Sequence, residues 1–181
     1  MNTKSLILTC SICLVIGLIF FAYMQEIIII RRPLFTTEQG TVIHTTKKEV
    51  PLSFWHNNTW QQEKKELLWH ENLGTNVQNL INNLLKLLEE EHIKHKKASV
   101  QSVLIAPSGR TAYVSFDRVP YAKEDTTYDK WLFIEGILKT VKKNTSGLDA
   151  IQFLVNHTAW VDQHLDFSKG WPLDGFYKEL Q

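Results

Sequence analysis

A small α+β fold is predicted for residues 49–181, a βαββαβ two-layer sandwich with both helices on one side of a single sheet, preceded by one N-terminal transmembrane helix. Three observations predict it. Segments with an apolar period of two alternate with segments of three-and-four spacing. Each candidate helix carries one apolar stripe and each candidate strand one apolar face, so one sheet with both helices on one side buries them all. Finally, Ser5 to Met24 contains no charged residue, while the mean hydropathy of the whole chain is only −0.18.

That uncharged stretch is long enough, at about 1.5 Å of rise per residue, to cross a hydrocarbon core of about 30 Å. Residues 1–30 therefore read as a membrane anchor. A cleaved signal peptide requires small residues at spaced positions, and Phe21-Ala22-Tyr23-Met24 supplies one. Cys10 and Cys13 follow Ile or Thr rather than the small residue that commonly precedes a lipidated cysteine, and they are read as facing lipid or a neighbouring helix. Lys4 on one flank competes with Arg31 and Arg32 on the other, so charge does not set the orientation. Residues 31–48, with Pro33, Gly40 and many Thr, read as a tether.

The first strand follows from the alternation of Val50, Leu52 and Phe54 with Pro51, Ser53 and Trp55, and Leu67 and Trp69 extend it as a hairpin arm. Thr75-Asn76-Val77-Gln78 has the form of a capping box, so the first helix is expected to begin there. It buries Val77, Leu80, Ile81, Leu84, Leu85 and Leu88 and runs into a polar stretch from Glu89 to Lys97. Val100–Ala106, the turn Pro107-Ser108-Gly109-Arg110 and the alternating Ala112, Val114 and Phe116 make a β-hairpin. A second helix from Tyr128 to Lys143 puts Trp131, Ile134, Leu138 and Val141 on one face and ends at Asn144 and Gly147. Gly136 within it marks a close approach. Ile151, Phe153 and Val155 form the last strand, and the tail to Gln181 reads as an irregular wrap.

Composition narrows the functional classes. Of 20 basic and 19 acidic residues, setting aside Lys4, Arg31, Arg32 and Glu26 leaves 17 and 18 beyond the anchor, which disfavours a nucleic-acid partner held by bulk charge. No cysteine follows Cys13, so the soluble part needs no disulfide. There is no G-x-S-x-G elbow, no S-x-x-K pair and no glycine-rich phosphate loop. His92 with His95, and Asp162 with His164 and Asp166, have spacings that can ligate a metal. The first pair reads instead as positive charge at a helix C-terminus, with Lys94, Lys96 and Lys97, and the second group as a solvated loop. Glu124 and Asp125 likewise read as a polar loop. No catalytic residue, metal or cofactor is expected.

The same element order occurs in RNA-recognition motifs, and Ala112-Tyr113-Val114-Ser115-Phe116 matches the end of their aromatic strand signature. Tyr113 would then stack on a base, but Phe116 falls on the opposite side of the strand, and the leading basic-glycine part of the signature is missing. The N-x-S/T triplets at Asn57, Asn144 and Asn156 carry meaning only in a eukaryotic secretory pathway.

From Val50 to Asp166 the chain resembles the GerMN domain found on anchored bacterial envelope proteins. The resemblance is carried by Leu52-Ser53-Phe54-Trp55, Glu66-Leu67-Leu68-Trp69-His70-Glu71, the Leu84-Leu85 pair, Ala112-Tyr113-Val114-Ser115-Phe116-Asp117, the helix Glu135-Gly136-Ile137-Leu138-Lys139-Thr140-Val141, and Ile151-Gln152-Phe153-Leu154-Val155-Asn156. The chain departs from the family where Lys86-Leu87-Leu88 replaces the usual Gly-Pro. The resemblance implies a non-catalytic βαββαβ fold akin to the ring-building motifs of secretion and sporulation channels, held outside the bacterial cytoplasmic membrane.

The expectation is therefore a single-pass, membrane-anchored interaction module. It touches the membrane through residues 5–24 and binds itself or envelope proteins, without nucleic acid. Trp60, Trp160, Trp171 and Phe176 are the expected contact aromatics, with packing of the tail on the core as their other role. A cell-wall-associated enzyme built on scattered carboxylates and a membrane-tethered RNA-binding module are the rival readings.

Overall fold

The computed structural model describes residues 45–93 and 95–175. The expected anchor, the tether up to residue 44 and Phe176 lie outside the described residues. Among those described, no helix is long and apolar enough to cross a membrane. The elements in chain order are β1 (Thr46–His56), β2 (Thr59–Trp69), α1 (Leu73–Glu90), β3 (Val100–Ile105), β4 (Thr111–Phe116), α2 (Thr127–Asn144), β5 (Ala150–Val155), and the short β6 (Thr158–Ala159) and β7 (Trp171–Pro172). The expected order of strands and helices is present. β1 starts inside the stretch read as tether, and β2 is a full strand rather than a short arm.

The single sheet expected from the sequence is in fact two. β1 and β2 form their own antiparallel pair, in register from His56 opposite Thr59 to Thr46 opposite Trp69. Asn57 and Asn58 close it with φ of 50° and 60°, the two left-handed residues that a two-residue hairpin turn needs. The second sheet has the order β3-β4-β5-β6, with β7 also on β5; β4 and β5 run parallel and the other pairs antiparallel.

The reason β1 does not join the larger sheet is that a helix already occupies its outward edge. With a two-residue turn, His56 and Thr59 exchange hydrogen bonds, as does every second pair beyond them, so the polar groups of Ser53 and Pro51 point away from β2. There the Thr140 hydroxyl accepts from Ser53 N–H at 2.9 Å and reaches Ser53 C=O at 3.4 Å, and Asn144 Nδ2 donates to Pro51 C=O at 2.8 Å. One turn earlier Gly136 lets the helix in, since a Cβ there would stand 3.2 Å from the Ser53 carbonyl oxygen. Pro51 has no N–H to leave unsatisfied.

α1 treats β3 in the same way. A Cβ on Gly74 would lie 3.0 Å from the Val103 carbonyl oxygen. Gln78 Nε2 donates to the carbonyls of Val100 and Gln101 at 3.0 and 3.2 Å, and Asn82 Oδ1 accepts from Val100 N–H at 2.8 Å. In both helices the glycine, the polar residue and the asparagine recur every fourth position, which aligns them in one stripe. The chain is thus two hairpin–helix units, β1-β2-α1 and β3-β4-α2, in which each helix closes the first strand of the other hairpin.

The core follows from this exchange. Val50, Leu52 and Phe54 of β1 join Leu80, Ile81 and Leu84 of α1, Ile134, Leu138 and Val141 of α2, and Ala112, Val114, Phe116, Ile151 and Phe153 of the larger sheet in one buried cluster. At about 100° per residue the buried positions of α2 are spread almost all round the helix, with no gap wider than about 60°, rather than on the single stripe expected, because the helix is packed on β1, on the core and, through Lys130, on the tail.

Helix ends differ from expectation in detail. α1 begins earlier than Thr75, capped by Asn72, whose side chain accepts from Thr75 N–H at 2.9 Å. It stops at Glu90, before the basic run, in a Schellman motif: Ile93 N–H donates to Leu88 C=O, His92 N–H donates to Glu89 C=O, and His92 is left-handed at φ 55°. Its last turn holds no basic residue, so the expected complement of charge at the helix C-terminus is absent there. α2 is capped by Thr126, which accepts from Asp129 N–H.

Thr140→Val keeps the shape of the side chain and removes both bonds to Ser53, leaving a buried N–H without its acceptor. Thermal or denaturant unfolding should show a loss of about 1–3 kcal/mol, and Thr140→Ser, which restores the hydroxyl, a smaller one.

Candidate interaction surfaces

Three regions of the domain stand out: a sheet face with exposed apolar side chains, an apolar cavity, and a tail held by a buried ion pair. The first is the outer face of the larger sheet. Its inner face is closed by the core, while on the outer face Leu104 of β3 stands directly beside Tyr113 of β4, which stands beside Gln152 of β5. Leu104 is 69% and Tyr113 41% exposed. The next row, Ser102, Ser115 and Leu154, is covered by the turn after β5, where His157 N–H donates to Ser115 Oγ at 2.8 Å. Phe116 points inward and is fully buried, as the alternation requires.

The second region is a cavity of about 280 Å³ between the tip half of β1, the C-terminal end of α1 and the first turns of α2. Phe54, Leu84, Leu88, Ile93, Leu132 and Phe133 make it apolar, and Asp125 and Asp129 reach it as well. Both carboxylates are engaged locally, one by a backbone N–H and one by a side-chain hydroxyl. Asp125 accepts from Ala122 N–H at 2.7 Å, and Asp129 accepts the Thr126 hydroxyl at 2.8 Å in a reciprocal cap.

The third is the tail. Asp162 is not in a solvated loop; it accepts from Lys130 Nζ at 3.0 Å, and the Lys130 side chain is 1% exposed. The ammonium also lies 5.1 Å from the centre of the Tyr121 ring. Burial alone would raise the Asp162 carboxyl, but the His164 N–H, the Lys130 ammonium and the Leu165 N–H outweigh it and hold it below the ordinary aspartate range. Burial, and then the Asp162 charge, push the Tyr121 phenol well up. Trp160 stacks on Phe167 at 4.3 Å between ring centres, and Phe167 on Trp171 at 5.2 Å, with Trp171 Nε1 donating to Asp166 C=O at 2.9 Å.

The expected contact aromatics are thereby separated. Trp160 and Trp171 are buried, at 3% and 5% exposure, and pack the tail on the core, which was their other role. Trp60 is 36% exposed near the hairpin tip, in edge contact with Trp55 at 5.5 Å and under the Lys139 ammonium. The candidate metal residues do not converge: His95 stacks against Phe133, Asp162 is committed to Lys130, and Asp166 accepts from Ser168 N–H. Among the described residues no three His, Cys, Asp or Glu side chains gather as a metal site. Of the N-x-S/T triplets, Asn144 is buried against Pro51 and Thr140, whereas Asn57 and Asn156 serve left-handed turn positions.

Sequence reasoning did not find Leu104, Lys130 with Asp162, or the helix stripes. The signal for the stripes was readable as glycine, polar residue and asparagine at every fourth position in both helices. Lys130 and Asp162, 32 residues apart, left no local trace.

No family model and no curated protein matches the chain. Among solved structures it is similar to a candidate lipoprotein of Clostridium perfringens, at 15% identity and a TM-score of 0.43, over 72% of this chain and 89% of that one. It is also similar to the tandem GerMN domains of the sporulation protein GerM from Bacillus subtilis, at 16% identity and a TM-score of 0.42, over 71% of this chain and 44% of that one.

Two outcomes are expected. Asp162→Ala strands the buried Lys130 ammonium and should destabilise the domain by about 3–5 kcal/mol in denaturant unfolding. Because the Asp162 carboxyl is lowered on folding, its contribution is present above the ordinary value of 3.8 and is lost as pH falls below that toward the folded value. In a melting-temperature series against pH, the wild type should drop over that acid window and the Asp162→Ala chain should show less of the drop. Second, Trp160→Ala should cost about 3–5 kcal/mol, whereas Trp60→Ala, at the surface, should change the melting temperature little.

Proposed function

We propose that the protein is a membrane-anchored, non-catalytic interaction module of the bacterial envelope. Its folded domain stands outside the cytoplasmic membrane and binds envelope proteins or further copies of itself. The observation that carries this reading is the cross-strand pair Leu104 and Tyr113 on the uncovered face of the larger sheet. Scattered single apolar residues are ordinary on a surface, but an aliphatic and an aromatic side chain held side by side on a rigid sheet offer a contact area that protein partners use. The charge-free stretch from Ser5 to Met24 supports the anchor, and the sequence resemblance of residues 50–166 to GerMN domains supports the placement. Against the enzyme reading, the two carboxylates at the apolar cavity are engaged in turn and cap hydrogen bonds.

The RNA-binding reading has one observation in its favour, the exposed Tyr113 on an open sheet face. Its neighbours on that face, Leu104, Ser102 and Gln152, include no cation to meet a phosphate, and Phe116, the other aromatic of the signature, is buried.

The experiment pairs two C-terminal reporters on the full chain, one active only outside the cytoplasmic membrane and one only inside. A signal from the outside reporter is expected; a signal from the inside reporter overturns the placement. In the same cells, Leu104→Ser with Tyr113→Ala should abolish co-purification of envelope partners, while the unfolding free energy of the purified variant stays within about 0.5 kcal/mol of wild type. Salt-dependent binding of single-stranded RNA by the wild type, lost in Tyr113→Ala, would favour the rival instead.

A further inference from the structure

The helices close the outward edges of β1 and β3, and β5 closes that of β4, but no described residue closes that of β2. By the alternation set at the hairpin turn, the backbone groups of Trp60, Gln62, Lys64, Glu66 and Leu68 point away from β1. Among the described residues no hydrogen bond reaches these groups, and the five side chains are exposed. An open strand of 11 residues is a template for another strand. That such an edge is competent is seen within the same molecule. β4 occupies the position in the second hairpin–helix unit that β2 occupies in the first, and its free side carries β5 over six consecutive residue pairs.

The geometry points to a second copy of this chain as the occupant, with β2 pairing antiparallel to β2 across a two-fold axis at Lys65, so that two hairpins become one four-stranded sheet. The inference rests on the self-assembly arm of the function proposed above and gives it a surface. Charge, together with the ion pairs already present in each hairpin, selects the register. With Lys65 on the axis, Lys64 of each copy stands opposite Glu66 of the other, giving two opposite-charge pairs. An axis at Lys64 also gives two opposite-charge pairs, Glu63 with Lys65 of the other copy, and one facing lysine pair, but only the Lys65 axis links the Lys64 and Glu66 side chains that are already in ion pairs within each hairpin. An axis at Glu63 opposes two carboxylates and gives no opposite-charge pair.

Each of these side chains already belongs to a ladder within its own hairpin. Lys64 Nζ lies 3.3 Å from Glu49 and Lys47 Nζ 2.9 Å from Glu66, so the intermolecular pairs would join two short ladders into a continuous one. Lys65 itself meets its own symmetry mate but has Glu90 at 3.4 Å on the inner side to balance it. The charged run Glu63-Lys64-Lys65-Glu66 also limits indiscriminate recruitment, because an apolar or like-charged partner strand would leave these charges unpaired or opposed.

The test uses the full chain in its membrane, with Cys10 and Cys13 replaced by Ser. At the axis Lys65 sits in a non-hydrogen-bonded antiparallel pair, where Cα atoms stand about 4.5 Å apart, within the range a disulfide spans. Lys65→Cys should therefore form a disulfide-linked dimer on mild oxidation, while Gln101→Cys, exposed on β3, should not. Adding Lys64→Glu to the Lys65→Cys chain should reduce the linked fraction at least fivefold, and Lys64→Glu with Glu66→Lys should restore it. Absence of the Lys65→Cys dimer in a chain that melts like wild type, equal linking at Gln101→Cys, or failure of the double exchange to restore linking would each overturn the pairing. Continued loss of envelope partners in the Leu104→Ser, Tyr113→Ala chain would then show the interaction module standing without it.

Discussion

Backbone groups at the edge of a sheet must find partners, and in this domain helical side chains supply them. Thr140 and Asn144 satisfy β1, Gln78 and Asn82 satisfy β3, and in each case a glycine one turn earlier, Gly136 or Gly74, lets the helix lie against the strand. The rest of the arrangement depends on this exchange. A helix that seals the hairpin of the other unit cannot also lie flat under a single sheet, so the two hairpins stay in separate sheets and the helices tie them together. The same contacts bring Val50, Leu52 and Phe54 into the common core. Burying polar backbone without a partner costs about 1–3 kcal/mol per group, so a few such bonds are comparable to the net stability of a small domain.

Once those edges are sealed, what remains accessible is restricted. The tail wraps the free side of β5 with β6 and β7 and locks itself down through stacked Trp160, Phe167 and Trp171 and the buried Lys130–Asp162 pair. A buried ion pair contributes less to stability than to fixing one arrangement, since an apolar replacement of equal shape can do as well. Here it fixes the tail against the first turn of α2. Among the described residues, the face of the larger sheet around Leu104 and Tyr113 and the outward edge of β2 stay uncovered, one on each hairpin.

Much of the fold was readable in the sequence because periodicity reports burial. The three-and-four spacing of Val77, Leu80, Ile81, Leu84, Leu85 and Leu88 is the buried stripe of α1, and the alternation of Ala112, Val114 and Phe116 is the inner face of β4. What periodicity cannot report is which edge a strand presents and to whom. The separation of the sheets, the clamp of Thr140 on Ser53 and the pairing of Lys130 with Asp162 all join residues distant in sequence by side-chain hydrogen bonds, which leave no repeat. β2 is only partly legible for a related reason. Its alternation of Gln62, Lys64 and Glu66 with Glu63 and Lys65 is polar on both faces, so a strand with one open edge carries no hydrophobic signature. Trp160 and Trp171 looked like surface aromatics because they lie in an irregular tail, yet an irregular segment can be held as firmly as a helix when its rings stack on the core.

Residue-resolved hydrogen exchange at micromolar dilution tests the edge-sealing account most directly. Ser53 and Val100 amides point away from their strand partners, and if helical side chains hold them they should exchange slowly, at the level of the core, while the outward amides of Gln62, Lys64 and Glu66 exchange fast. Exchange of Ser53 and Val100 as rapid as that of Lys64 would contradict it, because the helices would then lie beside the strands without holding their edges.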